Sequence, residues 1–202
     1  MNFRKHKSKR SLAQQMKDYE SLGIEWHPGI MYFHQRNYCS SSVNTDNYGF
    51  RVSKYNENVK SVESFLNCSS TTEVSIVVGG STAFGVGSTN DEFCIASELT
   101  KRSGIPHLNF GGRAFSSNQE VILFKRFYRS LPKIKKVIIF SGANDLFLTT
   151  VNSKSFMPPF FFGSQYEFAM QEYILSRKRK LMRHLLQPFL KNDFNWYNKT
   201  LA

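Results

Sequence analysis

This 202-residue chain is short of acidic residues, of cysteine and of long apolar runs. Each shortage excludes something. No window reaches the ~18 consecutive apolar residues that a membrane-spanning helix needs. The basic N-terminus runs into Ser11-Leu12-Ala13-Gln14-Gln15-Met16-Lys17, which is polar and helix-like, so no secretory signal is expected. Three scattered cysteines, Cys39, Cys68 and Cys94, have no metal spacing. They suit a reducing, cytoplasmic setting, with Cys94 read as a core thiol. There is no internal repeat, no P-loop lysine and no Gly-x-Gly-x-x-Gly, which argues against a phosphate cradle. No metal or organic cofactor is expected.

The acidic shortage leaves a net charge of +12. Arg4, Lys5, Lys7, Lys9 and Arg10 form one basic segment, and Arg177, Lys178, Arg179, Lys180 and Arg183 form another. Together they supply nearly all of the excess, so the middle of the chain is almost balanced. A solvated tail and a solvated helix face are the simpler reading. A surface for anionic lipid, polysaccharide or nucleic acid is the other, and it predicts binding that falls steeply with salt. Specific nucleic-acid recognition is not expected.

What is abundant is apolar and aromatic side chains, 41% and 15% of residues, enough for one buried core. Most of the 19 phenylalanines should lie inside. Residues 1–22 read as a basic segment with a short helix over 11–22, and 23–72 as an aromatic, turn-rich region. From 73 the rhythm becomes strand, helix, strand, helix, strand. The strands are expected at 73–80, 107–110 and 136–141. The helices are expected at 91–102, with Phe93, Ile95, Ala96 and Leu99 inward, and at 117–130, with Val121, Ile122, Phe124 and Phe127 inward. This alternation implies an α/β fold with a parallel sheet. Residues 147–202 hold the apolar loop Pro158-Pro159-Phe160-Phe161-Phe162 and a long basic helix over 167–190.

The most informative stretch is Val74-Ser75-Ile76-Val77-Val78-Gly79-Gly80-Ser81-Thr82. A β-branched run ends in two glycines and hands Ser81 to a tight turn. Ligands of open α/β sheets sit at the carboxyl ends of the strands, so Ser81 is a candidate nucleophile. The next two strands end in Gly111-Gly112-Arg113-Ala114 and Gly142-Ala143-Asn144-Asp145. A serine, a glycine-rich turn with free N–H groups and an asparagine amide are what acyl transfer requires. Each oxyanion donor is worth about 3–4 kcal/mol in the transition state. Asp145 reads as a structural turn cap.

In these three blocks the chain resembles the SGNH (GDSL-like) hydrolases. Gly79-Gly80-Ser81-Thr82 is similar to their nucleophile block, with Gly80 where many members carry Asp. Asn109-Phe110-Gly111-Gly112-Arg113-Ala114 is similar to the second block, and Gly142-Ala143-Asn144-Asp145 to the third. Val43-Asn44-Thr45-Asp46-Asn47-Tyr48-Gly49-Phe50-Arg51 resembles a stretch that precedes the first block in some bacterial members, including ones linked to surface-polysaccharide modification. The resemblance covers residues 43–146. It implies a flavodoxin-like three-layer sandwich with strand order 2-1-3-4-5. It implies Ser81 as nucleophile and Asn144 as oxyanion donor. Ala114, where the family usually has Gly, supplies a second donor, with Gly112 as the fallback. The implied substrate is a small-molecule or carbohydrate ester.

The family's base is a histidine in a C-terminal Asp-x-x-His block, and this sequence has no Asp-x-x-His. Its histidines are His6, His27, His34, His107 and His184. His107 opens the second strand, at the wrong end of the sheet. Only three of five strands are legible. Three readings follow: a shortened relative, a binding protein that keeps the pocket without turnover, or an enzyme whose base comes from its N-terminal region or from another subunit. The third strand would have an open edge, which favours self-association.

Overall fold

The computed structural model describes residues 14–55, 58–66 and 72–151. The chain divides into two compact units, Met1–Phe161 and Phe162–Ala202, and the described residues all belong to the first. The basic tail, the triple-phenylalanine loop, the long basic helix, Cys68, His6 and His184 lie outside them.

Helix α1 covers Gln14–Ser21 and stops before Gly23, as expected. The turn-rich region contains two short hairpins that its composition conceals. Strands β1 (Ile24–His27) and β2 (Met31–His34) pair antiparallel, as do β3 (Ser53–Tyr55) and β4 (Asn58–Lys60). Strand β5 (Val74–Gly79) is followed at once by α2 (Ser81–Phe84). Then come α3 (Ile95–Ser103), β6 (His107–Gly111), α4 (Ser117–Phe127), β7 (Ile134–Phe140) and α5 (Ala143–Val151). The sheet order is β6-β5-β7, with both pairs parallel. The chain is therefore α/β, and its three strands take the 2-1-3 order. All six residues of β5 are buried, which is why it reads as a mostly β-branched run rather than an alternating one.

Two helices differ from their sequence patterns, for identifiable reasons. The segment expected to begin a helix at Asp91 is a 3₁₀ turn over Asp91–Phe93, and α3 starts after an extended Cys94. Asp91 is drawn inward by Arg51, and Phe93, two residues on, faces out beneath the Lys101 ammonium. In α4 the buried residues are Gln119, Glu120 and Leu123, while Val121 and Ile122 are exposed. The polar pair is buried because each member finds a partner. Gln119 donates to the Ile30 carbonyl and accepts from the Ser116 N–H, and Glu120 accepts from Ser141. Periodicity locates an apolar stripe but not a polar residue with a waiting partner.

The core is aromatic. Phe50 packs edge-on against Phe33 and Phe127 and tilts against Phe110, with ring centroids within about 5 Å of each. Beside it lies a fully buried Arg51. Its guanidinium pairs with Asp91 at 2.9 Å and donates to Tyr19 Oη, to the carbonyls of Phe84 and Gly85, and to that of Ser42. Asp91 also accepts from the Asn44 side chain at 2.6 Å. This network ties the 43–51 segment to the end of α2. Burial pushes the Asp91 carboxyl up, against the opposing pull of Arg51.

Candidate functional site

The parallel register sets the site. Gly79 pairs with Gly111 on one side and with Phe140 on the other, so three strand ends lie level. The segments that leave them, 80–82, 112–116 and 141–145, meet at one edge. The strand ends are glycine-rich because backbones touch there: a Cβ at Gly111 would collide with the Phe84 amide nitrogen.

Ser81 opens α2 and is half-buried. Among the described residues its Oγ makes no hydrogen bond. A Cβ on Gly80 would stand 2.9 Å from Asn144 Nδ2. The Asn144 amide thus lies against the turn that carries Ser81, and only a residue without a side chain leaves it that room. The same Nδ2 donates to the Phe115 carbonyl at 2.7 Å, so one amide bridges the first and second loops. Asp145 accepts from the Ser117 N–H and hydroxyl at 3.0 and 2.7 Å, capping the first turn of α4.

The second loop is the most constrained part of the site. Ala114 has φ 58°, the left-handed region that costs a residue with a Cβ about 1–2 kcal/mol. Its carbonyl accepts from Tyr32 Oη at 2.7 Å. The neighbouring Arg113 N–H donates to His34 Nε2 at 3.1 Å, and the Arg113 guanidinium donates to the carbonyls of Tyr19, Leu22 and Gly23 behind α1. The Gly112 N–H is donated to the Gly79 carbonyl at 2.9 Å. Gly112 is thereby committed to the sheet, while the Ala114 N–H makes no hydrogen bond among the described residues.

His34 is fully buried, with its ring 4.0 Å from that of Phe84. Its Nδ1 lies 3.0 Å from the Gly49 carbonyl. A carbonyl can only accept, so the proton is on Nδ1 and Nε2 is free to accept from Arg113. Burial, helped by the nearby Arg113 charge, pushes its pKa down to about 3. Both ring nitrogens are occupied, so His34 holds a loop and has no free nitrogen to take a proton from Ser81. His27 accepts from Arg126 through Nδ1 at 3.0 Å, and burial lowers its pKa. His107 sits at the start of β6 opposite Ser75, four residues or about 13 Å from the Gly111 end. None of the three stands at Ser81 as a base. Tyr32 was not legible as a site residue; His34 was legible only as a histidine of the N-terminal region that could reach the site as a base, and the structure gives it a loop-holding role instead.

Among the described residues no three His, Cys, Asp or Glu side chains converge as metal ligands, and no helix is long and apolar enough to cross a membrane. Cys94 is buried and Cys39 exposed, both as free thiols. No protein-family model and no curated protein matches the chain.

Proposed function

We propose that this edge of the sheet is an acyl-transfer site, and that the chain is a serine ester hydrolase of the SGNH type acting on a carboxylic ester or an O-acylated carbohydrate. The observation that carries the reading is the Asn144 amide lodged against Gly80, in the turn that carries a Ser81 hydroxyl with no hydrogen bond among the described residues. Ser81 would attack the acyl carbon. The Ser81 and Ala114 N–H groups and the Asn144 amide would receive the oxyanion. The fold proposed with it is the flavodoxin-like three-layer sandwich, of which β6-β5-β7 would be the first three strands. The positive φ of Ala114 supports the alignment, because the family's usual glycine at this position adopts that conformation freely.

A serine needs a base to attack at neutral pH, and His27, His34 and His107 are engaged elsewhere. The base would come from outside the described residues or from another subunit. The same observation favours a second reading, a binding protein for esters or carbohydrates that keeps the pocket without turnover.

The test is hydrolysis of p-nitrophenyl acetate, with fluorophosphonate labelling, by the full chain and by Ser81→Ala. Turnover and labelling that vanish in the variant establish the enzyme. In that case Asn144→Ala should lower kcat by about 10²–10³. Equal background rates in both proteins reject the enzyme and leave the binding reading, in which Ser81→Ala retains ligand affinity.

A further inference from the structure

Two carboxylates tie α4 to the loop after β7, and they do so in opposite directions. Glu120, in α4, accepts from the Ser141 hydroxyl at 2.8 Å. Asp145, in the loop, accepts from the Ser117 hydroxyl at 2.7 Å and from its N–H at 3.0 Å. Asp145 caps a helix, which accounts for it. Glu120 has no such local duty. It is 3% exposed, and a buried carboxylate is costly unless it is well hydrogen-bonded. Ser141 is the one hydrogen-bond partner of its side chain among the described residues. Burial pushes the Glu120 carboxyl up, the Ser141 bond opposes this, and the charge of Asp145 adds to it. Were helix packing the only need, an apolar side chain of similar volume would meet it without these penalties.

The loop that Glu120 holds is the one that carries Asn144. Ser141 follows β7 directly, and Gly142 comes next with φ 108°. A Cβ at Gly142 would meet nothing within 4 Å, so the glycine serves the backbone turn and not a close approach. The turn leads into α5, whose first bond runs from the Leu146 N–H to the Gly142 carbonyl at 3.0 Å. Glycine changes its backbone angles at little cost, so this pivot alone would let Asn144 swing. The ties at Ser141 and Asp145 lie on either side of Asn144 and remove that freedom. Asn144 has two amide hydrogens on Nδ2. One goes to the Phe115 carbonyl at 2.7 Å. The other makes no hydrogen bond among the described residues, and Nδ2 stands beside Gly80 in the turn that carries Ser81. We propose that Glu120 is a positioning residue for this site: through Ser141 it fixes the loop that aims the second Asn144 N–H at the developing oxyanion. The proposal rests on the acyl-transfer reading above. An oxyanion donor is effective when it is in place before charge develops, and a displacement of about 1 Å can cost about 10²-fold in rate. Glu120 acts through Ser141 and not on the substrate.

Steady-state hydrolysis of p-nitrophenyl acetate by the full chain tests this, with Ser81→Ala as the blank. Ser141→Ala removes a hydroxyl at an exposed position and leaves the Glu120 carboxylate without its donor. It should lower the Ser81-dependent kcat about tenfold with KM nearly unchanged. Glu120→Leu should do the same, and the double variant should be no slower than either single one, because both remove the same bond. Glu120→Gln keeps an oxygen that accepts from Ser141, and should hold kcat within about threefold of the wild type. A purely structural contact would change urea unfolding and leave kcat per folded molecule as it was. Should Glu120→Leu fail to fold by circular dichroism, Ser141→Ala and Glu120→Gln carry the test. Ser81-dependent turnover that Ser141→Ala leaves unchanged overturns the proposal alone, as do losses that multiply in the double variant. Turnover equal in the wild type and Ser81→Ala overturns the acyl-transfer reading and this proposal together.

Discussion

Replacing His34 tests how the second loop is held. In the folded chain burial and Arg113 keep the ring neutral, with a pKa of about 3. In the unfolded chain it returns to about 6.5. Between these values the unfolded state binds a proton that the folded state does not. The stabilising contribution is therefore complete above pH 6.5 and is lost as the pH falls. The slope is about 1.4 kcal/mol per pH unit, so by pH 5 the loss is about 2 kcal/mol. Other groups titrate nearby: burial raises the carboxyls of Asp46, Asp91 and Glu120, and lowers His27 and His107. Their contributions are common to wild type and His34→Gln and cancel in the difference. Urea unfolding at pH 7.5, 6 and 5 should show His34→Gln less stable at pH 7.5, with the gap narrowing by about 2 kcal/mol by pH 5. Parallel pH dependences in the two proteins would refute the buried neutral imidazole.

Arg51→Met removes one partner of a buried ion pair and leaves Asp91 uncompensated, so it should cost about 3–5 kcal/mol in denaturant unfolding; replacing Asp91 by Asn in the same chain should recover part of the loss. Ala114→Val puts a β-branched residue at φ 58° and should destabilise by about 1–3 kcal/mol, whereas Ala114→Gly should be neutral or stabilising. If the two behave alike in thermal unfolding, the left-handed conformation is wrong.

Strands β5 and β7 were legible because each holds three consecutive β-branched residues, Ile76-Val77-Val78 and Val137-Ile138-Ile139, and the glycines that follow announced the turns. Ser81 and Asn144 came from the same signal, a polar residue just past a buried strand. What stayed hidden depends on partners distant in sequence. The β1–β2 hairpin is short and has no period of its own, yet it supplies Tyr32 and His34 to a loop some 80 residues away. Phe93 matched a helical stripe, but Arg51 fixes Asp91 and turns the next residues outward. Gln119 and Glu120 were not among the residues expected inward, because nothing in their own segment reveals the Ile30 carbonyl or Ser141.

The loop after β6 bears most directly on whether this edge is a site or only the end of a sheet. A connecting turn has no need of a non-glycine residue in the left-handed region. This one carries about 1–2 kcal/mol of strain at Ala114 and is braced from three directions. Tyr32 holds the Ala114 carbonyl, His34 the Arg113 amide and Asn144 the Phe115 carbonyl. Each bond takes a carbonyl or an amide of the loop, yet the Ala114 N–H is left without a hydrogen bond among the described residues. Strain of this kind persists where the surroundings over-determine it, and it gathers at active sites. Two of the three braces come from the β1–β2 hairpin, outside the residues that carry the family resemblance. The hairpin therefore belongs to the site as much as the sheet does. Tyr32→Phe should remove one brace with little change in packing, costing about 1 kcal/mol in unfolding. In an active enzyme it should lower kcat more than it raises KM, because the loop it frees would bear the proposed oxyanion donor. A Tyr32→Phe enzyme with unchanged kcat and the same loss of stability would reduce the brace to a structural contact.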